Sequence, residues 1–124
     1  MSLSNMEHRI TLLGQPLTTN TIWRTTSARG FQRTYITNAG RALKESYQWQ
    51  AKSQFKVKPS QNAILLQIDL YFCDKRKRDI DNYCKILLDA LSGIVWDDDS
   101  QIMEMHIRKF YDKERPRVEL IATL

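Results

Sequence analysis

Alternation between hydrophobic and polar residues is the clearest pattern in the chain, and it lies in residues 63–72, AILLQIDLYF. Every second residue there is large and apolar, which is the two-residue period of a strand with one buried face. These apolar positions are Ile64, Leu66, Ile68, Leu70 and Phe72. The pattern therefore predicts a strand that contributes one face to the core.

A helical period replaces this alternation after the strand. Apolar residues then recur three or four positions apart, which places them on one side of an α-helix. They are Ile80, Cys84, Leu87, Leu88 and Leu91. The sequence therefore predicts a helix over residues 81–91, packed on the sheet and ended by Ser92 and Gly93.

Three further elements are predicted before this strand. Residues 8–16 contain a short apolar patch ended by a glycine and a proline, as in a strand followed by a loop. Residues 24–34 show no hydrophobic period and predict a mobile basic loop, either a solvated connector or a DNA-contacting loop. The arginines of this loop are Arg24, Arg29 and Arg33. A helix is predicted from Asn38, as its N-terminal cap, to residue 55.

Two strands are predicted near the C-terminus. In residues 102–110, methionine and isoleucine alternate with polar residues, the pattern of a half-solvated antiparallel strand. Residues 118–124 follow a charged turn and predict the closing strand of a hairpin. The predicted order is β-α-β-α-β-β, which favours an α+β fold with helices packed on a mixed β-sheet.

The composition is that of a globular protein. The chain has 124 residues, 42% of them hydrophobic, which suits a single domain over residues 1–124. The net charge of +5 makes nucleic acid a reasonable partner. No stretch reaches the roughly 20 apolar residues of a membrane span, and the N-terminus has no apolar signal core. Cys73 and Cys84 lack metal-ligand spacing, so we expect reduced thiols in a cytoplasmic protein.

Opposite charges crowd together in residues 75–85, KRKRDIDNYCK. Asp79 and Asp81 flank the predicted junction of strand and helix, where helix N–H groups favour anions. Lys85 follows Asp81 after about 400° of helical rotation, so the two residues share the face opposite the apolar stripe. Such a corner suits metal binding.

A second acidic group, WDDDSQ, precedes the predicted C-terminal strands. If the strand from residue 102 pairs near the strand of residues 63–72, Asp98 or Asp99 comes close to the first acidic pair. Carboxylates this close raise one another's pKa and normally require a bound cation. An oxygen-only ligand set suits Mg²⁺, and the sequence has no set of histidines and cysteines for zinc.

Cations beside the acidic pair would hold the phosphodiester that such a metal attacks, since phosphate neutralisation dominates affinity for nucleic acids. Four of them precede Asp79 without interruption, namely Lys75, Arg76, Lys77 and Arg78. Taken together, these residues indicate a metal-dependent nuclease.

Simpler interpretations stay open for each feature alone. Asp79 could cap the helix, and Asp81 and Lys85 could form a surface pair worth about 0.3–0.5 kcal/mol. The second acidic group could be a solvated turn, and the four cations could belong to an ordinary charged loop. Their joint occurrence makes coincidence a weaker explanation and keeps a metal-dependent nuclease open beside them.

The motif RDIDNYCKILLDALSG, followed by WDDDSQI, resembles the core motif of RusA-type Holliday junction resolvases. These are crossover junction endodeoxyribonucleases, often carried by prophages. The resemblance covers most of the chain and is weaker before the motif, where Leu17 stands in place of the family's second proline. It implies a RusA-like fold and a homodimer that binds four-way DNA junctions and makes paired nicks with Mg²⁺, or Mn²⁺ in its place, in DNA recombination and repair.

The resemblance also implies roles for individual residues. The family's essential acidic residues are matched by Asp79, Asp81 and Asp99. Its catalytic lysine is matched by Lys85, and Arg78 matches a basic residue needed for DNA engagement. Asp98 aligns with the neighbouring acidic position and joins the predicted metal ligands.

Two other classes of function compete with a nuclease. A nucleotide-dependent transferase could use an Asp-x-Asp pair, but the chain has no glycine-rich phosphate loop after a strand. A non-catalytic DNA-binding dimer with a degenerate acidic site is the alternative that stays open.

Overall fold

A computed structural model describes residues 6–18, 23–28 and 30–124. Their strands are β1 (Glu7–Leu13), β2 (Trp23–Ala28), β3 (Phe31–Ile36), β4 (Ile64–Phe72), β5 (Ile102–Tyr111) and β6 (Arg117–Thr123). Their helices are α1 (Asn38–Gln54), between β3 and β4, and α2 (Lys85–Leu91), between β4 and β5. Short 3₁₀ helices at Ile80–Tyr83 and Asp99–Gln101 flank α2. The predicted α+β class is confirmed.

The main sheet has four strands in the order β1, β6, β4 and β5. β4 lies between two neighbours, and its predicted apolar face is confirmed, because all five alternate side chains are at most 2% exposed. On its other face, Asp69 is buried, and its two carboxylate oxygens accept hydrogen bonds from Nε and Nη2 of Arg108 on β5, both at 2.8 Å. Such a two-point pair satisfies the buried carboxylate and links the two strands.

β5 and β6 pair differently from the prediction. β5 is parallel to β4, with Ile64 opposite Ile102 and Phe72 opposite Tyr111, so the predicted antiparallel orientation is wrong. Parallel neighbours need a crossover connection, and the segment that contains α2 provides it. β6 pairs with β1 and β4, so the predicted hairpin with β5 is also wrong. Alternation alone could not show this, because the side-chain period is the same in both orientations.

The position of β5 at the edge of the sheet also leaves apolar side chains in solvent. Met103 is 70% exposed, and Met105 is exposed as well. The alternation in this strand therefore does not mark a buried face.

The basic loop predicted for residues 24–34 is wrong, because β2 and β3 form an antiparallel hairpin there. Thr25 lies opposite Thr34, and their hydroxyl oxygens are 3.1 Å apart. β-Branched threonines favour extended backbone, and Gly30 has the positive φ of 80° that favours glycine in hairpin turns. The hydrophobic period is weak because this hairpin is a separate two-stranded sheet.

The predicted helix from residue 38 is confirmed as α1, but Thr37 caps it instead of Asn38. The Thr37 hydroxyl accepts a backbone N–H of the first turn at 3.1 Å. From α1, the side chains of Gln50 and Gln54 hydrogen-bond to the backbone of β1 at 2.7 to 3.1 Å. These glutamines satisfy backbone groups on the edge strand that could otherwise pair with another chain.

The helix predicted over residues 81–91 is divided. The backbone first forms the 3₁₀ helix Ile80–Tyr83, and α2 begins at Lys85. The predicted apolar stripe is nevertheless packed inward, since Cys84, Leu87 and Leu91 are buried. α2 ends as predicted, with Ser92 as its cap. Within the described part of the chain, neither helix combines the length and apolar character needed to cross a bilayer.

Candidate active site

Residues 75–81, here called the charged segment, follow β4 and end in the first turn of the first 3₁₀ helix. Asp74 anchors this segment. The Asp74 carboxylate pairs with the Arg78 guanidinium at 2.8 Å and accepts the Arg76 backbone N–H at 3.1 Å. The hydrogen bond from Arg76, together with the interactions of Arg78, lowers the pKa of Asp74. The Arg78 guanidinium also lies 4.4 Å from the centroid of the Phe72 ring. Asp74 and Arg78 therefore fix the start of the segment against the end of β4.

The charged segment is also tied to β5. Lys109 Nζ donates to the backbone oxygen of Arg78 at 3.2 Å. Lys75 Nζ lies 5.8 Å from the centroid of the Tyr111 ring. The segment therefore lies beside the ends of two parallel strands, at the predicted junction of strand and helix.

The four predicted DNA-binding cations of this segment fall into two groups. Lys75, Arg76 and Lys77 are exposed. The Arg78 side chain is only 12% exposed, and its charge is paired with Asp74. Arg78 would have to leave these contacts to bind a phosphate, whereas the other three side chains already face solvent.

Asp79 and Asp81 are exposed at the start of the first 3₁₀ helix, and Lys85 is exposed at the start of α2. The backbone changes from 3₁₀ to α geometry at Cys84, and a 3₁₀ helix has three residues per turn. The prediction that Asp81 and Lys85 share one face of a continuous α-helix is therefore wrong. The acidic pair and the lysine still lie on one short exposed stretch.

Cys84 lies between the acidic pair and α2 and is buried. Burial, and then the negative charge of Asp81, raises the pKa of its thiol to about 11. A thiol with such a pKa is protonated at neutral pH, and a protonated thiol is neither a good nucleophile nor a metal ligand. The prediction that both cysteines are reduced is in line with their free thiols in the structure.

Residues 92–101, the anchored segment, follow α2 and carry the second acidic group. The Trp96 side chain is fully buried, and its Nε1–H donates to Asp99 Oδ1 at 3.0 Å and to Ser92 Oγ at 3.1 Å. The Ser92 hydroxyl also donates to Asp99 Oδ1. Asp99 is therefore held by hydrogen bonds from within its own segment.

Asp98 has a different structural role from Asp99 in the anchored segment. It caps the 3₁₀ helix Asp99–Gln101, with Oδ2 accepting the Ser100 backbone N–H at 3.0 Å. Hydrogen bonds from Ser100 lower the pKa of Asp98. The Gln101 side chain accepts the Asp98 backbone N–H at 2.8 Å and donates to the backbone oxygen of Ser60 at 2.7 Å. These bonds pin the segment to the chain just before β4.

The two acidic groups lie at opposite ends of α2. Asp79 and Asp81 precede its first residue, whereas Asp99 is bonded to Ser92, which follows its last. A seven-residue helix is about 10 Å long, whereas two oxygens on one Mg²⁺ lie within about 4 Å of each other. Among residues 6–18, 23–28 and 30–124, no group of three or more Asp, Glu, His or Cys side chains is placed to hold a metal ion. The predicted convergence of three carboxylates therefore does not occur within a single chain.

Two of the remaining predicted DNA-binding residues lie on the strands of the β2–β3 hairpin. Arg24 is on β2 opposite Tyr35, and Arg33 is on β3 opposite Thr26. Arg29 lies outside the described residues. The hairpin thus places two of the three arginines on paired strands and not in a loop.

The sequence analysis missed the residues that hold the second acidic group. Asp98 and Gln101 follow the spacing of a capping box, an Asp with a Gln three residues later, and this signal could have identified the anchor. Ser92 and Trp96 belong to no such local pattern. Their contact with Asp99 depends on how the chain turns after α2.

Comparison with known proteins identifies a family model and relatives. The model described as "Endodeoxyribonuclease RusA" matches residues 14–122. "Crossover junction endodeoxyribonuclease RusA" of Shigella sonnei (strain Ss046) is 28% identical over 92 residues, which cover 73% of this chain and 77% of the relative. "Uncharacterized protein YqaN" of Bacillus subtilis (strain 168) is 47% identical over 45 residues, which cover 36% of this chain and 31% of that protein.

Proposed function

This chain belongs to the RusA family of endodeoxyribonucleases, and we propose on that premise that it resolves four-way (Holliday) DNA junctions. It acts as a homodimer that nicks opposed strands with Mg²⁺, or Mn²⁺ in its place, in DNA recombination and repair. The relative from Shigella sonnei, which carries the name of a crossover junction endodeoxyribonuclease, supports this choice of substrate.

The observation that carries the proposal is the exposed acidic pair next to exposed cations. Asp79 and Asp81 are separated by one residue on a connection that is anchored to both β4 and β5. Three exposed cations, Lys75, Arg76 and Lys77, lie in the same segment. Cations attract and position the DNA phosphates, and the carboxylates beside them can hold a divalent ion against the same backbone.

The donor set fits a hard divalent cation, because carboxylate oxygens are the ligands that Mg²⁺ and Mn²⁺ prefer. Asp79 and Asp81 are the residues that hold it, since Mg²⁺ is commonly bound by one or two carboxylates together with phosphates and water. When bound, such an ion activates water and stabilises charge on the phosphate.

The other residues of this surface bind and orient the DNA. Lys85 follows the acidic pair and neutralises negative charge that develops on the phosphodiester, or orients the nucleophile. The exposed cations of the charged segment bind neighbouring phosphates, and Arg24, Arg29 and Arg33 have the same proposed role. Arg78 and Asp74 keep the charged segment in place.

A homodimer accounts for the position of the second acidic group. A two-fold axis gives two identical sites, as paired nicks on opposed strands require. In such a dimer, Asp99, with Asp98 beside it, completes the acidic pair of the other copy. The absence of a three-carboxylate group among the described residues of one chain supports this arrangement.

A cleavage assay tests the proposal directly. The purified protein is incubated with a labelled four-way junction or a matched linear duplex, in Mg²⁺ or in EDTA. We expect paired nicks in the junction with Mg²⁺, and none in EDTA. Asp81→Asn should slow single-turnover nicking by about a thousandfold, equivalent to about 4 kcal/mol, and leave junction binding intact.

Glu45→Gln is the matched control, since it removes an exposed carboxylate on α1. It should cut at the wild-type rate. A non-catalytic DNA-binding dimer is the second candidate, and it is favoured because no three carboxylates of one chain are grouped to hold a metal ion among the residues that the structure describes. Wild-type protein that binds the junction but makes no nick with Mg²⁺ or Mn²⁺ would establish that candidate and end the nuclease proposal.

A mixing experiment tests whether two copies share each site. Asp81→Asn and Asp99→Asn chains are inactive alone, and their heterodimer has one site with both substitutions and one site with neither. Mixing equal amounts should therefore restore about a quarter of the wild-type sites, because half of the dimers are mixed and each has one intact site. Analytical ultracentrifugation and a tag on one chain verify that mixed dimers form. Mixed dimers with no recovered nicking would show that each site belongs to one chain.

A further inference from the structure

Two hydrogen-bond donors converge on one oxygen of Asp99. The Ser92 hydroxyl and the Trp96 indole N–H both donate to Asp99 Oδ1, and the indole lies 3.0 Å from it. Within the described residues, Oδ2 of the same carboxylate accepts no hydrogen bond from protein. One oxygen of the carboxylate is therefore bound to protein, and the other is left for another partner.

Both donors have fixed positions. Trp96 is fully buried, so its ring cannot rotate without opening the core. Ser92 caps α2, and its hydroxyl also lies 3.0 Å from the backbone oxygen of Leu88, one turn earlier. A Ser hydroxyl has a single hydrogen, and the negative charge of a carboxylate makes Asp99 its stronger acceptor.

The backbone around Asp99 is held just as firmly. The Gly93 backbone N–H donates to the oxygen of Trp96 at 2.7 Å and closes the turn after α2. Val95 and Asp97 exchange backbone hydrogen bonds with Ser60 at 2.9 and 3.2 Å. Asp99 is thus fixed on both the side-chain and the backbone side.

We propose that Ser92 and Trp96 are positioning residues, which hold Asp99 Oδ1 so that Oδ2 faces the divalent cation of the nuclease site. The inference rests on the proposed function and gives roles to two residues of the quoted motif to which the resemblance assigned none. Residues that hydrogen-bond to a metal-binding side chain orient that side chain. Removing one of them typically weakens metal affinity or activity by about 10- to 100-fold.

The simplest competing explanation is that the three residues only close the turn after α2. In that case their loss would lower the stability of the fold and leave metal affinity unchanged. Metal binding without DNA therefore separates the two explanations, and it does so without relying on cleavage.

The test compares Ser92→Ala with Ser92→Thr and Ser53→Ala. Ser53 is an exposed residue of α1 whose hydroxyl also donates to a backbone oxygen of its own helix, which makes it a matched control. Mn²⁺ affinity is measured by the electron paramagnetic resonance signal of free Mn²⁺, and thermal unfolding is recorded for each variant. Ser92→Ala should bind Mn²⁺ about tenfold more weakly or worse, Ser92→Thr should recover affinity, and Ser53→Ala should not change it.

A double variant shows whether Ser92 acts through Asp99. If it does, Ser92→Ala should weaken Mn²⁺ binding in the wild-type background and have no further effect in the Asp99→Asn background. The indole N–H resonance of Trp96, assigned with Trp96→Phe, should also shift when Mg²⁺ is added to the wild-type protein.

Two results would overturn the inference while the wild-type protein still nicks junctions. One is a folded Ser92→Ala variant that binds Mn²⁺ as the wild type does. The other is an equal loss of affinity from Ser92→Ala with and without Asp99. Wild-type protein that neither binds Mn²⁺ nor nicks the junction would instead refute the proposed function, and this inference with it.

Discussion

The charged segment, residues 75–81, and the anchored segment, residues 92–101, flank the same short helix and use aspartates in different ways. In the charged segment, Asp79 and Asp81 face solvent. In the anchored segment, Asp98 caps a 3₁₀ helix and Asp99 is bonded to a fully buried tryptophan. The comparison shows that the surroundings of an aspartate, and not its presence in a motif, decide how much of its hydrogen-bonding capacity the protein already uses and how much is left for a ligand.

The interactions that hold the two segments also differ in kind. The charged segment is held by ion pairs of Arg76 and Arg78 with Asp74 and by stacking of Arg78 on Phe72. Single contacts of Lys109 and Lys75 add to these. The anchored segment depends on a buried ring and on hydrogen bonds to the backbone near Ser60. Exposed ion pairs contribute little to stability, whereas loss of a large buried side chain costs much more. Loss of an exposed cation of the charged segment should therefore affect mainly DNA binding, and loss of the buried Trp96 of the anchored segment mainly folding.

The largest expected effect comes from Trp96→Ala. Removal of a fully buried Trp should lower the free energy of unfolding by about 3–5 kcal/mol, through a cavity and two lost hydrogen bonds. Urea denaturation measures this change. Trp49→Ala is the control, because Trp49 is 75% exposed on α1. Equal losses in the two variants would contradict the claim that Trp96 anchors its segment.

A smaller effect on stability is expected from Arg78→Ala. The family resemblance predicts a DNA-binding role for Arg78, but its side chain stacks on Phe72 and pairs with Asp74. Its removal should lower the free energy of unfolding by about 1–2 kcal/mol, between the values for an exposed and for a fully desolvated cation over an aromatic ring. Arg76→Ala, which removes an exposed cation, is the control and should change it by less than about 0.5 kcal/mol. Arg78→Ala protein with wild-type stability and a changed salt dependence of DNA binding would return Arg78 to the DNA-binding group.

The smallest effect is expected from Lys77→Ala, and it should appear only in DNA binding. Lys77 is exposed, so stability should stay within about 0.5 kcal/mol of the wild type. Loss of one phosphate contact should reduce the slope of log K against log salt concentration by about 0.9. Junction binding measured at several salt concentrations gives this slope, with Lys56→Ala, an exposed lysine after α1, as the control. An unchanged slope would remove Lys77 from the DNA-binding surface.

Local patterns predicted the elements whose structure depends on nearby residues. Three features follow from the spacing of apolar residues within about ten consecutive positions. They are the buried face of β4, the apolar stripe around α2 and the end of α2 at Ser92. The hairpin of β2 and β3 was missed because its threonines and Gly30 were read as a loop. The orientation of β5 was missed because alternation carries no information about which strand lies beside it.

The sequence by itself determined the α+β class, the core strand and the composition of the two acidic groups. These follow from the residue types and from the period at which apolar residues recur, both of which are properties of short stretches of sequence. Only the tertiary structure decided that the acidic groups lie at opposite ends of α2, that Arg78 is packed against the sheet and that Ser92 and Trp96 hold Asp99. Each of these depends on contacts that form only when the chain crosses over and places β5 beside β4. The number of residues between two positions does not give the distance between them in the folded chain.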